Sequence, residues 1–353
     1  MAKIATITNV LERRIIRGDY ALRDLPTENE LASEVGVSRM TARRAFTKLI
    51  ESGLVVRKPY GKLTVNDEHR SRATHLQVAF LAPRYSSDDF DMWRFHLENA
   101  CKPIKAHMHL HSYVDWEDPS VSQAFTKFDC VFLIPRMAEP IPDFIVKRMQ
   151  ACAHVVSLSA DMTALGIPSL QLLSPVAIHR VADHLYSLGH REIACVNSQP
   201  HGGVIDARIE QFNLWKRMYG VTGELLDDPV KPFEHATPRA YDIMKRRLDA
   251  GDFTATAVLS ITDAATTGIL RALQERGLKV PQDISVCGVE AGELPQYQVP
   301  SRTALKQPNP EPYLRACLNW IEQNTPWDGP LLVTSNHVEL FVGESTGPVR
   351  KIE

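Results

Sequence analysis

From residue 76 onward, short apolar runs alternate with stretches of helical periodicity, and this alternation constrains the fold more than any other feature. The runs are LQVAFLA (76–82), HMHLHSYV (107–114), DCVFLI (129–134), HVVSL (154–158), EIACVN (192–197), TAVLSI (256–261) and DISVCGV (283–289). Each has strand length. Helical stretches lie between and after them, for example at 176–188, 207–219, 239–250, 264–276 and 312–323. A strand, a helix and another strand pair in parallel, with helices covering both faces of the sheet. Roughly 275 residues of such chain exceed one hydrophobic core, so two doubly wound lobes are expected. Sheets of this kind bind ligands beyond the carboxyl ends of their strands, and two lobes would enclose a cleft there. The fold class is α/β, with a separate helical front end.

The front end differs in charge. The whole chain has 40 Lys+Arg and 42 Asp+Glu, net −2. Residues 1–72 hold 14 basic and 9 acidic residues, net +5, which leaves the remainder at −7. A basic front end suits a polyanion. Residues 3–17 place Ile4, Ile7, Val10, Leu11 and Ile15 at helical spacing, and Gly18-Asp19 stops that helix. Thr27 and Glu30 form a capping box after Pro26, so a second helix starts there and ends at Gly36. Ser38 caps a third helix that runs to about Ser52, with Ala42, Ala45, Phe46 and Leu49 as its inner stripe. Arg39, Thr41, Arg43 and Arg44 fall largely off that stripe. Two strands, 54–56 and 63–65, then flank a turn at 59–62. Two helices joined by a tight glycine turn can place the second in a DNA major groove. Arginine forks match guanine, threonine can meet base edges, and the other cations, with Lys58 and Lys62 on the turn, can meet the backbone. A solvated basic helix face on a small helical domain is the plainer reading of the same residues.

LPTENELA, GVSRMTARRAF and the GLV block resemble the GntR-type winged helix-turn-helix repressors over roughly residues 5–66. The resemblance implies that Ser38, Arg39, Thr41 and Arg43 approach DNA, with Gly61 at the wing tip. Asn29 stands where a basic residue is frequent in that family, and the wing is short. In the body, HLYSLGHREIACVN, ARIEQFNLW, ITDAATTGILRALQERGLKVPQDISVCGVE and LFVGEST resemble the LacI/GalR-type sensor domain, a relative of periplasmic sugar-binding proteins. The combination is similar to arabinose-responsive repressors. The resemblance implies effector contacts at Arg208, Thr262, Asp263, Glu290, Gln307 and Ser159. Gln211 replaces the family's glycine and Gly343 its closing arginine. An arginine and a carboxylate suit hydroxyl groups, since one donates and the other accepts in fixed directions. Plainer readings are a helix-start surface residue for Arg208, a helix N-cap for Asp263 and a solvated loop carboxylate for Glu290. Phe90 and Trp93, after the first strand, can stack on a sugar face or pack a helix.

Other chemistries find little support. There is no GxGxxG after a strand, no GxxxxGK[ST] and no GxSxG elbow, so no nucleotide cofactor or esterase nucleophile is expected. His107, His109 and His111 share one face of a strand but lack further ligands, so no metal is expected. Asp88-Asp89 and Asp227-Asp228 lack calcium-loop spacing. The six cysteines form no CxxC pair and suit reduced, buried thiols. No apolar run is long enough to span a membrane, and the charged N-terminus is unlike a signal peptide. The expected protein is a cytoplasmic, non-enzymatic transcriptional regulator, a repressor in its resemblance. It would bind a palindromic double-stranded operator as a homodimer and sense a small effector, a sugar or derivative, without cofactor, metal or membrane. The expected division is a winged helix at 1–66, a linker at 67–75, an effector-binding and dimerisation body at 76–346 and a tail at 347–353. A ligand-independent docking platform and a sugar-processing catalytic body are the alternatives.

Overall fold

The computed structural model describes residues 2–20, 24–66, 75–84, 87–104, 106–136, 138–231, 234–292, 294–335 and 337–350. Most of the expected linker, 67–74, lies outside these. The front end has helices α1 (Ala2–Ile16), α2 (Glu28–Glu34) and α3 (Arg39–Glu51). Strands β1 (Val55–Arg57) and β2 (Leu63–Val65) follow as an antiparallel wing. Thr27 and Glu30 make both bonds of the capping box. Ser38 caps α3, and Ala42, Ala45, Phe46 and Leu49 are all buried. They close on Ile7, Leu11, Ile15 and Leu31 to form the core of a small unit.

The body holds two six-stranded sheets. In the first lobe the order is β13-β7-β6-β5-β3-β4, all parallel. Its strands are β3 (Gln77–Pro83), β4 (His107–Tyr113), β5 (Cys130–Leu133), β6 (Val155–Leu158), β7 (Ser169–Leu170) and β13 (Leu332–Val333). Its helices are α4 (Asp88–Cys101), α5 (Pro119–Lys127), α6 (Asp143–Ala151) and α11 (Glu311–Gln323). In the second lobe the order is β14-β12-β11-β10-β8-β9, parallel except for β14. Its strands are β8 (Ile193–Asn197), β9 (Leu225–Asp227), β10 (Ala257–Ser260), β11 (Ser285–Ala291), β12 (Thr303–Lys306) and β14 (Leu340–Phe341). Helices α7 (Ile178–Ser187), α8 (Gly203–Tyr219), α9 (Ala236–Asp249) and α10 (Asp263–Glu275) cover it.

Each sheet has a hydrophobic cluster on either face, so both lobes are doubly wound. Central strands such as CVFL in β5 are buried on both faces, as parallel sheets require. The chain crosses between lobes three times. At the first crossing, Leu172 plugs into the first lobe's core and its neighbour Leu173 into the second's. The second crossing runs from β12 to α11, and the third from β13 to β14. The expected tail does not leave the body at once. Ser345 O accepts from the Val286 amide of β11, Gly347 O pairs with His190 Nε2, and the Val349 amide donates to Leu188 O.

Candidate functional site

Two surfaces carry functional groups. On the front end, Ser38 sits in extended conformation, its Oγ accepting from the Thr41 amide at 3.3 Å and lying 2.9 Å from Thr41 Oγ1. Arg39 and Arg43 follow on the open face, 68% and 62% exposed, and Arg44 is exposed beside them. Glu28 of α2 reaches both: Arg39 Nε donates to it at 3.3 Å, and Arg43 Nε lies 3.9 Å away. In the wing, the Lys58 amide donates to Lys62 O and the Gly61 amide to Lys58 O. Gly61 has φ of 81°, a conformation in which a side chain would be strained. Lys62 Nζ is held by Asp24 at 2.7 Å, and Arg57 stands beside Gly61. The expected front-end residues therefore lie on α3 and its cap, where all but the half-buried Thr41 are exposed, and on the exposed wing. Arg57 joins them through the wing pairing.

The second surface is the cleft between the lobes, about 590 Å³ in volume. Phe90, Ser159, Arg208, Thr262, Asp263 and Gln307 all line it. Glu290 lies in β11, and its side chain is outside the described residues. Arg208 is only 3% exposed on α8, with Nη1 donating to Ile261 O at 3.1 Å, so the surface reading of this residue fails. The N-cap of α10 is Thr262, not Asp263. Asp263 instead holds Arg302, itself 2% exposed, with Nη2 at 2.8 and 2.9 Å from the two carboxylate oxygens. Arg302 also donates to Asp263 O and to Thr267 Oγ1, both at 3.2 Å. A charge so buried needs such a partner.

In the first lobe, Ser159 directly follows β6, at φ of 63°. It accepts from Trp93 Nε1 at 2.5 Å and donates to Asp89 Oδ2 at 2.6 Å. Gln307 Nε2, on the second crossing, donates to Asp89 Oδ1 at 3.5 Å. The line Trp93–Ser159–Asp89–Gln307 thus ties α4 and the end of β6 to the second crossing segment. Trp93 is a buried core residue, whereas Phe90 is half-buried at the cleft. Two polar atoms of the cleft wall, Thr262 Oγ1 and Gln307 Oε1, are buried with no hydrogen-bond partner within the protein. Buried polar groups are normally paired, so both are groups a ligand can complete. On the rim, His201 lies between Asp206 at 2.6 Å and Asp227 at 3.0 Å. The hydrogen bond to Asp206 raises its pKa. Asp89 and His201 carry no motif of their own; tertiary contacts alone reveal them.

Among the described residues, no group of three or more His, Cys, Asp and Glu could hold a metal ion, and no helix is long and apolar enough to cross a membrane.

Comparison with known proteins covers both surfaces. Residues 3–65 match the bacterial regulatory proteins of the gntR family, and residues 182–318 match the periplasmic binding protein-like domain. The transcriptional repressor CytR of Escherichia coli is 26% identical over 183 residues, covering 51% of this chain and 52% of its own. The repressor PurR of Vibrio cholerae is 28% identical over 125 residues, covering 35% and 36%. The chain thus spans about half the length of the first curated relatives it matches, CytR and the MelR repressor of Bacillus subtilis. A LacI family regulator of Enterococcus faecium, solved with bound ribose, aligns with a TM-score of 0.65 at 20% identity, over 78% of this chain and 100% of that one. The lac repressor dimer bound to operator aligns at 0.63 and 18% identity, over 80% and 98%.

Proposed function

The chain joins a gntR-type winged helix to a periplasmic binding protein-like, LacI-type body, and on that premise we propose that it is a cytoplasmic, ligand-responsive transcriptional repressor. One observation carries the reading. The same chain holds an uncovered basic recognition helix and a cleft whose wall contains buried, unpartnered hydroxyl and amide oxygens. In this reading Ser38, Arg39, Thr41, Arg43 and Arg44 face base edges and phosphates. Gly61 lets the wing tip approach the duplex, and Lys62 exchanges Asp24 for a phosphate.

The effector is a sugar or derivative. Arg208 donates to its hydroxyls; Thr262, Gln307, Asp263 and Glu290 complete the polar wall; Phe90 offers an apolar face; and Ser159 fixes Asp89. Ribose and lactose occupy two LacI-type neighbours of the same fold, which supports this class. The chain acts as a homodimer on a palindromic operator, and its body buries the apolar side chains now exposed: Phe95 and Leu110 on the first lobe, Leu294, Tyr297 and Val299 on the second. It performs no catalysis and carries no cofactor.

The ligand-independent platform gains some support from Ser159 and Asp263, whose polar groups are already engaged inside the protein. A thermal-shift screen of pentoses, hexoses and their phosphates separates the two. An effector at about 100 times its Kd stabilises by about 2.7 kcal/mol. If no compound raises the melting temperature, the platform reading stands. Selection of duplexes from a random pool tests the front end, and the absence of any enriched sequence overturns the regulator reading.

A further inference from the structure

The end of α1 meets the body at a built contact. Helix α1 closes with Gly18 at φ of 78°; the Gly18 amide donates to Ile15 O and the Asp19 amide to Arg14 O. This is the hydrogen-bond pattern of a Schellman cap. The Arg17 amide takes Arg13 O. Ile16 O is satisfied from another unit: Gln77 Nε2, at the start of β3, donates to it at 3.1 Å. The same Gln77 amide donates to His75 O at 3.1 Å, and its Oε1 lies 2.9 Å from His109 Nε2 on β4. His109 therefore serves as donor there, which orients the Gln77 amide nitrogen toward α1. Phe128 packs against His109 and His111, each at a ring separation of 5.2 Å.

The approach is close. A Cβ on Gly18 would lie 2.2 Å from Gln77 Oε1 and 2.8 Å from His109 Nε2, so glycine serves both the cap and the docking. The contact leaves the recognition helix open, since Arg39 and Arg43 remain solvent-exposed. The two strands that begin at this contact end at the cleft. β3 leads into Arg84 and β4 into Val114, both cleft residues, and the Arg84 amide donates to Tyr113 O. Seven paired residues separate the two ends, about 20 Å of strand.

We propose that Gln77 and His109 form a socket that seats the C-terminal end of α1, so that the first lobe carries the reading head as one body rather than on a tether. A seated head has less orientational freedom to lose on binding a duplex, and it follows every movement of its lobe. The contact itself is independent of the regulator reading above; its consequence for DNA rests on that reading.

Limited trypsin digestion of the full chain tests the socket without DNA or effector, by mass-spectrometric timing of cleavage between Arg17 and Gly18. Gln77→Ala is expected to accelerate that cleavage at least tenfold while cleavage at Arg315 on α11 keeps its wild-type rate. His109→Ala accelerates it as well, and His109→Gln, which keeps a donor, restores protection. Equal rates in wild type and Gln77→Ala overturn the socket. If Gln77→Ala lowers the melting temperature of the whole chain, hydrogen exchange in residues 13–20 of wild-type protein decides instead. Protection of that segment beyond that of the wing supports the socket, and exchange as fast as the wing overturns it.

Discussion

At the scale of single residues, the front-end arginines and the cleft polar groups behave differently on substitution. Arg39 and Arg43 are exposed and, among the described residues, pair with Glu28, so Arg39→Ala and Arg43→Ala are expected to leave the melting temperature within about a degree. Each is expected to weaken binding to a selected duplex by about 1–3 kcal/mol, read as a shift in Kd at fixed salt. Asp263 is the opposite case. Its carboxylate is the partner of an arginine 2% exposed, and removing one member of such a pair strands the other charge. Asp263→Ala is expected to cost about 3 kcal/mol, seen as a lower midpoint in urea, with Asp263→Asn in between. Thr262→Val replaces an unpartnered buried hydroxyl with a methyl group. It is expected to keep or slightly raise stability and to reduce the thermal shift given by any effector. A large loss of stability from Thr262→Val would show that its hydroxyl already has a structural role.

At the scale of elements, β4 binds three histidines to one environment. Burial lowers the pKa of His107, His109 and His111, the last to about 4. Unfolded, each titrates near 6.5. Between about 6.5 and 4 the unfolded chain therefore binds more protons, so stability rises with pH through that window and is lost on acidification. His111→Phe, beside Phe128, is expected to flatten the dependence of melting temperature on pH between 7 and 5 without lowering it at pH 7. An unchanged pH slope would mean that His111 is not the group that charges.

The elements also show what a sequence makes visible. β5, β6, β8 and β10 are continuous apolar runs because parallel strands bury both faces, and they stand out at once. β7 and β13 are two residues long, and β12 reads Thr-Ala-Leu-Lys; none has a run to recognise. Thr27 and Ser38 are legible as caps because their bonds are local. The partners of Ser159 and Asp263 lie far off in sequence: Trp93 and Asp89 are 66 and 70 residues away, and Arg302 is 39. No local pattern encodes those distances. Five of the residues implied by the family likeness, Ser159, Arg208, Thr262, Asp263 and Gln307, line the cleft, but the likeness does not say that Ser159 and Asp263 are already engaged inside the protein.

At the scale of the whole molecule, assembly is the quantity that joins both surfaces. Phe95 and Leu110 are 57% and 54% exposed on the first lobe, and Leu294, Tyr297 and Val299 are 72%, 75% and 97% exposed on the second. Exposed large apolar side chains on both lobes of one body suit a two-fold interface that runs along its length. In the proposed reading, two reading heads held by such a dimer would engage two half-sites, the second at the high effective concentration set by the first. Leu110→Asp with Tyr297→Asp is therefore expected to convert the dimer to monomer in analytical ultracentrifugation. The Leu110 side chain points to the face of β4 opposite His109, so the socket at the end of α1 stays intact. With α3 untouched, the monomer keeps its preference for a single half-site but loses at least a hundredfold in affinity for the full palindrome. A monomer that bound the palindrome as tightly as wild type would show that the heads act singly. A variant that remained dimeric would place the interface elsewhere on the body.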